Sequence, residues 1–147
     1  MSIAKPFNLN QWIQDNRELL KPPVGNKNLY VDSGDYIVMI VAGPNARKDY
    51  HYNETEELFY QLEGSIKVII QEEGQRKEME LHAGDMYLHP AKIPHSPVRS
   101  EGSIGLVIER KRAGGKKMSY TIIRPKDRNE WLEHRKSGIG SSEVATI

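Results

Sequence analysis

The chain has 147 residues, the size of one ordinary domain, and its 37% hydrophobic residues suffice for one core but not two. Lys plus Arg number 21 and Asp plus Glu 20, a net charge of +1 that argues against a strongly basic nucleic-acid-binding face. Cysteine is absent, which removes disulfides, thiolate nucleophiles and Cys-type zinc sites, so any metal must be held by His and carboxylates. The opening Met1-Ser2-Ile3-Ala4-Lys5-Pro6 has no apolar signal stretch, and no run reaches the ~18 apolar residues of a membrane span. A soluble cytoplasmic protein without a membrane partner is the expectation.

In chain order, the first twenty residues predict a short helix, capped by Asn8 or Asn10, with Trp12, Ile13, Leu19 and Leu20 on one face. Lys21-Pro22-Pro23 stops it, because the residue before a proline avoids helical backbone. Tyr36 to Val41 is β-branched and apolar, hence a strand. Glu57 to Leu62, Ile66 to Gln71, Lys77 to Leu81, Met86 to His89 and Gly105 to Glu109 read as further strands. Gly64-Ser65, Glu73-Gly74 and Ala83-Gly84 mark turns. Short strands at regular spacing with no helical pattern between them predict an all-β sandwich or barrel.

Residues 111–136 carry nine Lys/Arg against three acids, a local +6. Ala113-Gly114-Gly115-Lys116-Lys117 reads as a linker, and Asp127 as the cap of a short helix through Glu130, Trp131 and Leu132. The organisation expected is therefore a domain over residues 1–112 and an atypical basic, partly helical tail over 113–147, its charge belonging to a solvated face.

Side chains alternate faces along a strand. That places Arg47, Asp49 and His51 together if their segment is extended, as it does His95, Pro97 and Arg99, and Val107 with Glu109. The face opposite His51, with Ala46, Lys48 and Tyr50, makes a poor core. For Glu57 parity points outward, because Leu58, Tyr60 and Leu62 look like the core face. Parity alone leaves the polar residues free to face solvent.

Spacing is more informative. Gly43 is followed by His51, Asn53 and Glu57, then after six residues by Gly64. Gly84 is followed after five residues by Pro90, then His95. These spacings resemble the two motifs of the cupin superfamily of small jelly-roll barrels. Three positions depart from the pattern: Asn53 replaces a His, Lys92 a Gly, and Arg99 an Asn. What remains is His51, Glu57 and His95, and two imidazoles with one carboxylate leave about half an octahedral shell open, as in non-haem Fe(II) oxygenases. His82, His89 and His134 read as structural or surface histidines.

The resemblance narrows with Lys21-Pro22-Pro23-Val24, the run Gly43 to His51, Glu57-Leu58-Phe59-Tyr60-Gln61-Leu62-Glu63-Gly64, Pro94-His95-Ser96-Pro97-Val98-Arg99 and Val107-Ile108-Glu109-Arg110. In this order, over residues 6–112, they are similar to the 3-hydroxyanthranilate 3,4-dioxygenase family. The resemblance implies a single cupin jelly roll that opens the ring of 3-hydroxyanthranilate with O2, giving 2-amino-3-carboxymuconate semialdehyde. That product closes without enzyme to quinolinate, on the kynurenine route from tryptophan to NAD. It implies Fe(II) held by His51, Glu57 and His95, and Arg99 paired with the substrate carboxylate, a task suited to a planar guanidinium. Glu57 and Glu109 would meet the substrate, Glu109 taking up a proton, and Arg47 would bind O2 and stabilise the negative charge that develops. A homodimer is implied as well. The alternatives are another metallocupin enzyme, an isomerase or a different oxygenase, and a non-catalytic cupin that binds a small ligand. The first would keep His51, Glu57 and His95 but have no use for Arg47, Arg99 and Glu109 as a set.

The tail departs from that family. Bacterial and fungal members carry a four-cysteine metal site past the Glu109 strand, and animal members a second cupin-like domain. Here Arg128 to Arg135 runs into Gly138-Ile139-Gly140-Ser141-Ser142-Glu143-Val144-Ala145, which resembles the opening of phage-type exonucleases of the viral recombinase class, with Met118 as a start. The segment reads as a fusion or assembly artefact, and carries no acidic cluster from which nuclease activity would follow.

Overall fold

The computed structural model describes residues 3–23, 25–45 and 49–111, and the backbone of 121–123. The expected helix forms as α1, Leu9–Asp15, with the Asn8 side chain accepting a hydrogen bond from the Gln11 N–H at 2.9 Å. At Asn16 the chain tightens into a 3₁₀ turn, Arg17–Leu20. This turn has fewer residues per revolution than an α-helix, so the shared apolar face breaks. Ile13 and Leu20 are buried, whereas Leu19, expected beside them, is 51% exposed.

Among the described residues ten strands follow: β1 (Asn26–Asn28), β2 (Tyr36–Ala42), β3 (Tyr50–Tyr52), β4 (Glu57–Glu63), β5 (Ser65–Glu72), β6 (Gln75–His82), β7 (Met86–His89), β8 (His95–Arg99), β9 (Ile104–Arg110) and β10 (Thr121–Ile123). They form two antiparallel sheets, ordered β1-β2-β9-β4-β7 and β10-β3-β8-β5-β6. The fold is an all-β double-sheet jelly roll with one short helix.

Between the sheets lie Ile37, Met39, Phe59, Ile66, Val68, Ile70, Leu81 and Val107. A second cluster, Ile13, Leu20, Ile40, Ala42 and Ile104, sits where α1 and the 3₁₀ turn cover the outer face of the first sheet. Past the exposed Tyr36, strand β2 is thus covered on both faces, which is why its sequence is an unbroken apolar run. Arg17 clamps the turn to the end of β4 through a two-pronged pair with Glu63 (2.6 and 3.0 Å) that water screens.

The covered outer face also reverses the parity expected for β4. Glu57, Phe59 and Gln61 point into the barrel and are buried, while Leu58, Tyr60 and Leu62 lie on the other face, Leu62 against the helix cluster. Tyr50, expected on a poor core face, is buried as well.

Gly43 shows why one motif position tolerates no side chain: a Cβ there would lie 2.0 Å from the Ser100 carbonyl oxygen. Lys92, where the superfamily pattern has glycine, takes a left-handed φ of 62° and donates its N–H to the Asn53 carbonyl at 2.7 Å. Past the described end of β9, β10 pairs with β3, placing Ile122 opposite His51. Arg47, His134, the Asp127 helix and the exonuclease-like run lie outside the described residues.

Candidate metal centre

The strand registers build the site from two rows of inward-facing residues. In the first sheet Ile37, Glu109, Glu57 and His89 stand side by side across β2, β9, β4 and β7. In the second, His51, His95 and Ile70 do so across β3, β8 and β5. His51, Glu57, His89, His95 and Glu109 are all buried. Ionisable groups of this kind are rarely buried unless paired or put to use.

The rows meet where Glu57 Oε2 lies 2.7 Å from His95 Nε2. Neither ring nitrogen of His95 has an aligned hydrogen-bond partner among the described residues. Glu57 Oε2 also accepts from the Asn53 side-chain amide at 3.1 Å. The His51 ring packs edge-on to that of His95, with centroids 5.6 Å apart. Burial works to raise the Glu57 carboxyl, but the imidazoles of His95, His51 and His89 outweigh it and hold the group below the usual carboxylate range. Glu57 is therefore a carboxylate facing neutral or cationic nitrogen.

These donors suit a divalent transition metal. Imidazole and carboxylate are ligands for iron, zinc and manganese alike. Donor atoms bound side by side at about 2.0–2.2 Å lie about 3 Å apart, close to the Glu57–His95 separation. Buried His95 nitrogens without an aligned partner are what such a ligand leaves when considered without its metal. Among the described residues, no three His, Asp or Glu side chains are already drawn together as a closed cage.

Arg99 is buried further along β8, opposite Ile66. Asn45 ties that strand down, accepting from the Arg99 N–H at 2.7 Å and donating to the Pro97 carbonyl at 2.9 Å. The guanidinium passes Gly105, where a Cβ would come within 3.1 Å of it and within 3.0 Å of Gln61 Oε1. Of the residues singled out in the sequence, the structure brings Glu57 and His95 into contact and sets His51 and Glu109 beside them. Arg99 is inside the barrel, four residues further along β8 from His95.

Sequence reasoning assigned no site role to His89, Tyr87 or Asn53. The His89 ring lies 4.2 Å from that of His95; its Nδ1 meets the Tyr87 hydroxyl at 2.9 Å and its Nε2 the Ile93 carbonyl at 2.6 Å. Burial, then the neighbouring His95, depresses its pKa to about 4, so the ring is neutral. The β7 pattern carried a signal: Met86 and Leu88 face solvent while Tyr87 and His89 turn inward, an inverted alternation of the sort functional sites produce.

Comparison with solved structures supports the fold. A cupin-2 domain protein of Shewanella frigidimarina aligns with a TM-score of 0.53 at 20% identity, covering 68% of this chain and 92% of that one. A Neisseria meningitidis protein aligns at 0.56 and 18%, covering 74% and 100%. Among curated sequences, a 3-hydroxyanthranilate 3,4-dioxygenase of Xanthomonas euvesicatoria pv. vesicatoria is 54% identical over 110 residues, covering 75% of this chain and 61% of that protein. The enzyme of the same name from Paraburkholderia phytofirmans is 48% identical over 116 residues, covering 78% and 66%. The chain thus spans somewhat under two thirds of the length of these relatives. A profile of the 3-hydroxyanthranilic acid dioxygenase family matches residues 1–134, and the chain belongs to that family.

Proposed function

We propose that the chain is an Fe(II)-dependent ring-cleaving dioxygenase that converts 3-hydroxyanthranilate and O2 to 2-amino-3-carboxymuconate semialdehyde, the precursor of quinolinate in NAD biosynthesis from tryptophan. The observation that carries the reading is the meeting of the Glu57 carboxylate with the buried His95 nitrogen, with His51 paired to His95 across β3 and β8. His51, Glu57 and His95 would hold the metal. Fe(II) bound there would supply adjacent open positions at which the aminophenol and dioxygen react.

The chain's own groups would do the rest. Glu109, beside Glu57 and equally buried, accepts the proton that the substrate hydroxyl must lose as the ring becomes electron-rich. Arg99 pairs with the substrate carboxylate and sets which end of the ring enters first. Arg47 takes the O2 side, as the family resemblance implies. The apolar wall of Phe59, Val107 and Met39 next to the site excludes water, which strengthens each of these interactions. Both oxygen atoms of O2 end in the acyclic product. A cytoplasmic homodimer belongs to the same reading. Among the described residues no helix is long and apolar enough to cross a membrane.

The deciding experiment is anaerobic loading with Fe(II), followed by 3-hydroxyanthranilate in air, with the semialdehyde absorbance recorded. A rise that needs iron and oxygen together, and that disappears with its bound iron in His51→Ala and His95→Ala, is expected. A protein that takes up no metal and whose thermal stability does not change with added Fe(II) is instead a non-catalytic cupin.

A further inference from the structure

Histidines that bind metals are usually oriented by a hydrogen bond from the second ring nitrogen to a carboxylate, carbonyl or water. His95 has no aligned hydrogen bond of this kind among the described residues. Other rings surround it instead: His89 with centroids 4.2 Å away, His51 at 5.6 Å and Phe59 at 5.9 Å. Of these, His89 is nearest, and its own orientation is fixed at both ends.

The Ile93 carbonyl can only accept, so His89 Nε2 carries the proton. Nδ1 is then left to accept from the Tyr87 hydroxyl. With both in-plane positions used, His89 has no lone pair to offer a metal, and its ring cannot flip without breaking both bonds. Tyr87 is in turn stacked on Phe59, which also touches the His95 ring edge-on.

We propose that His89 is a positioning residue for His95, a hydrogen-bonded imidazole on β7 that fixes the ring plane of the ligand by packing where a hydrogen bond would normally do so. The inference rests on the reading of His95 as a metal ligand. It assigns a role to Tyr87 as well, since the Tyr87 hydroxyl is one of the two bonds that lock His89.

The test is metal affinity, measured by anaerobic competition of Fe(II) between the full chain and a chelator, and repeated with Zn(II), which needs no turnover. His89→Phe keeps a ring but loses both hydrogen bonds, and Tyr87→Phe removes one while leaving the packing. His89→Phe should weaken both metals about 10- to 100-fold, the range for lost outer-shell partners. Tyr87→Phe should weaken them in the same direction by less, and it decides the matter if His89→Phe does not fold. His95→Ala is the control and should abolish binding. If His95→Ala loses the metal while both other variants hold it as tightly as the parent, His89 only fills the core and the inference is overturned. If His95→Ala binds as the parent does, His95 is no ligand and the inference falls with the functional reading.

Discussion

Glu57 and Glu109 stand directly opposite each other on β4 and β9, both buried and both facing into the barrel. Like charges in opposed positions of a sheet repel, so each carboxylate needs its own favourable surroundings. Those of Glu57 are the three imidazoles and the Asn53 amide. In the proposed mechanism Glu109 is the carboxylate that takes the substrate proton. Glu109→Gln is therefore expected to keep its iron, counted by elemental analysis, while kcat drops about 10²- to 10⁴-fold. A variant that turns over at the parent rate removes Glu109 from the chemistry.

Arg99 separates the proposed enzyme from another metallocupin. A charge-assisted pair with a substrate carboxylate is worth about 1.5–3 kcal/mol, or roughly 10- to 150-fold in affinity. Arg99→Ala should raise KM for 3-hydroxyanthranilate by that factor. It should leave the weaker binding of 2-aminophenol, which lacks the carboxylate, unaltered. Equal losses for both compounds would mean that the guanidinium supports the barrel near Gly105 and Gln61 and does not read the substrate.

Much of this was legible before the structure. Strands β4 to β7 and β9 fall within two residues of where apolar alternation and turn glycines put them, and Asn8 caps the helix as its amide suggests. What misled was the assumption that each strand has one core face. Leu58, Tyr60 and Leu62 look like a core because the helix covers that side, and Glu57 looks exposed because local sequence cannot show the imidazoles waiting on the opposite sheet. Motif spacing singled out His51, Glu57 and His95, and the structure sets the three together, Glu57 against His95 and His51 paired with it across β3 and β8. His89 was passed over because its role depends on a ring from another strand and on the Ile93 carbonyl, neither of which leaves a spacing to read.

Lys92 offers a test of backbone strain at a motif position. Its φ of 62° costs a residue with a Cβ about 1–2 kcal/mol, and the greater freedom of glycine in the unfolded chain returns about 0.4–1 of that. Lys92→Gly should therefore stabilise the protein by about 0.5–1 kcal/mol in urea unfolding, with the hydrogen bond to Asn53 retained. A loss of stability would show that the Lys92 side chain contributes more than its backbone conformation costs.

The metal-free protein should also lose stability in a defined acid window. His89 is held neutral down to about 4, by burial first and then by His95, against an ordinary value of 6.5. Between these values the unfolded chain binds a proton that the folded chain refuses, so stability rises with pH. The contribution is complete above 6.5, falls away as pH drops toward 4, and amounts to at most ~3 kcal/mol. Glu57 acts lower down: its carboxyl is depressed below 4.5, so its contribution is present above 4.5 and lost as pH falls through its folded value. Thermal melts of the protein in chelator should thus show Tm declining from pH 6.5 to 4 and declining further below. In His89→Phe the upper part of the curve should flatten while the drop below 4.5 persists. An unchanged slope between 6.5 and 4 in that variant would place the titrating group elsewhere in the barrel.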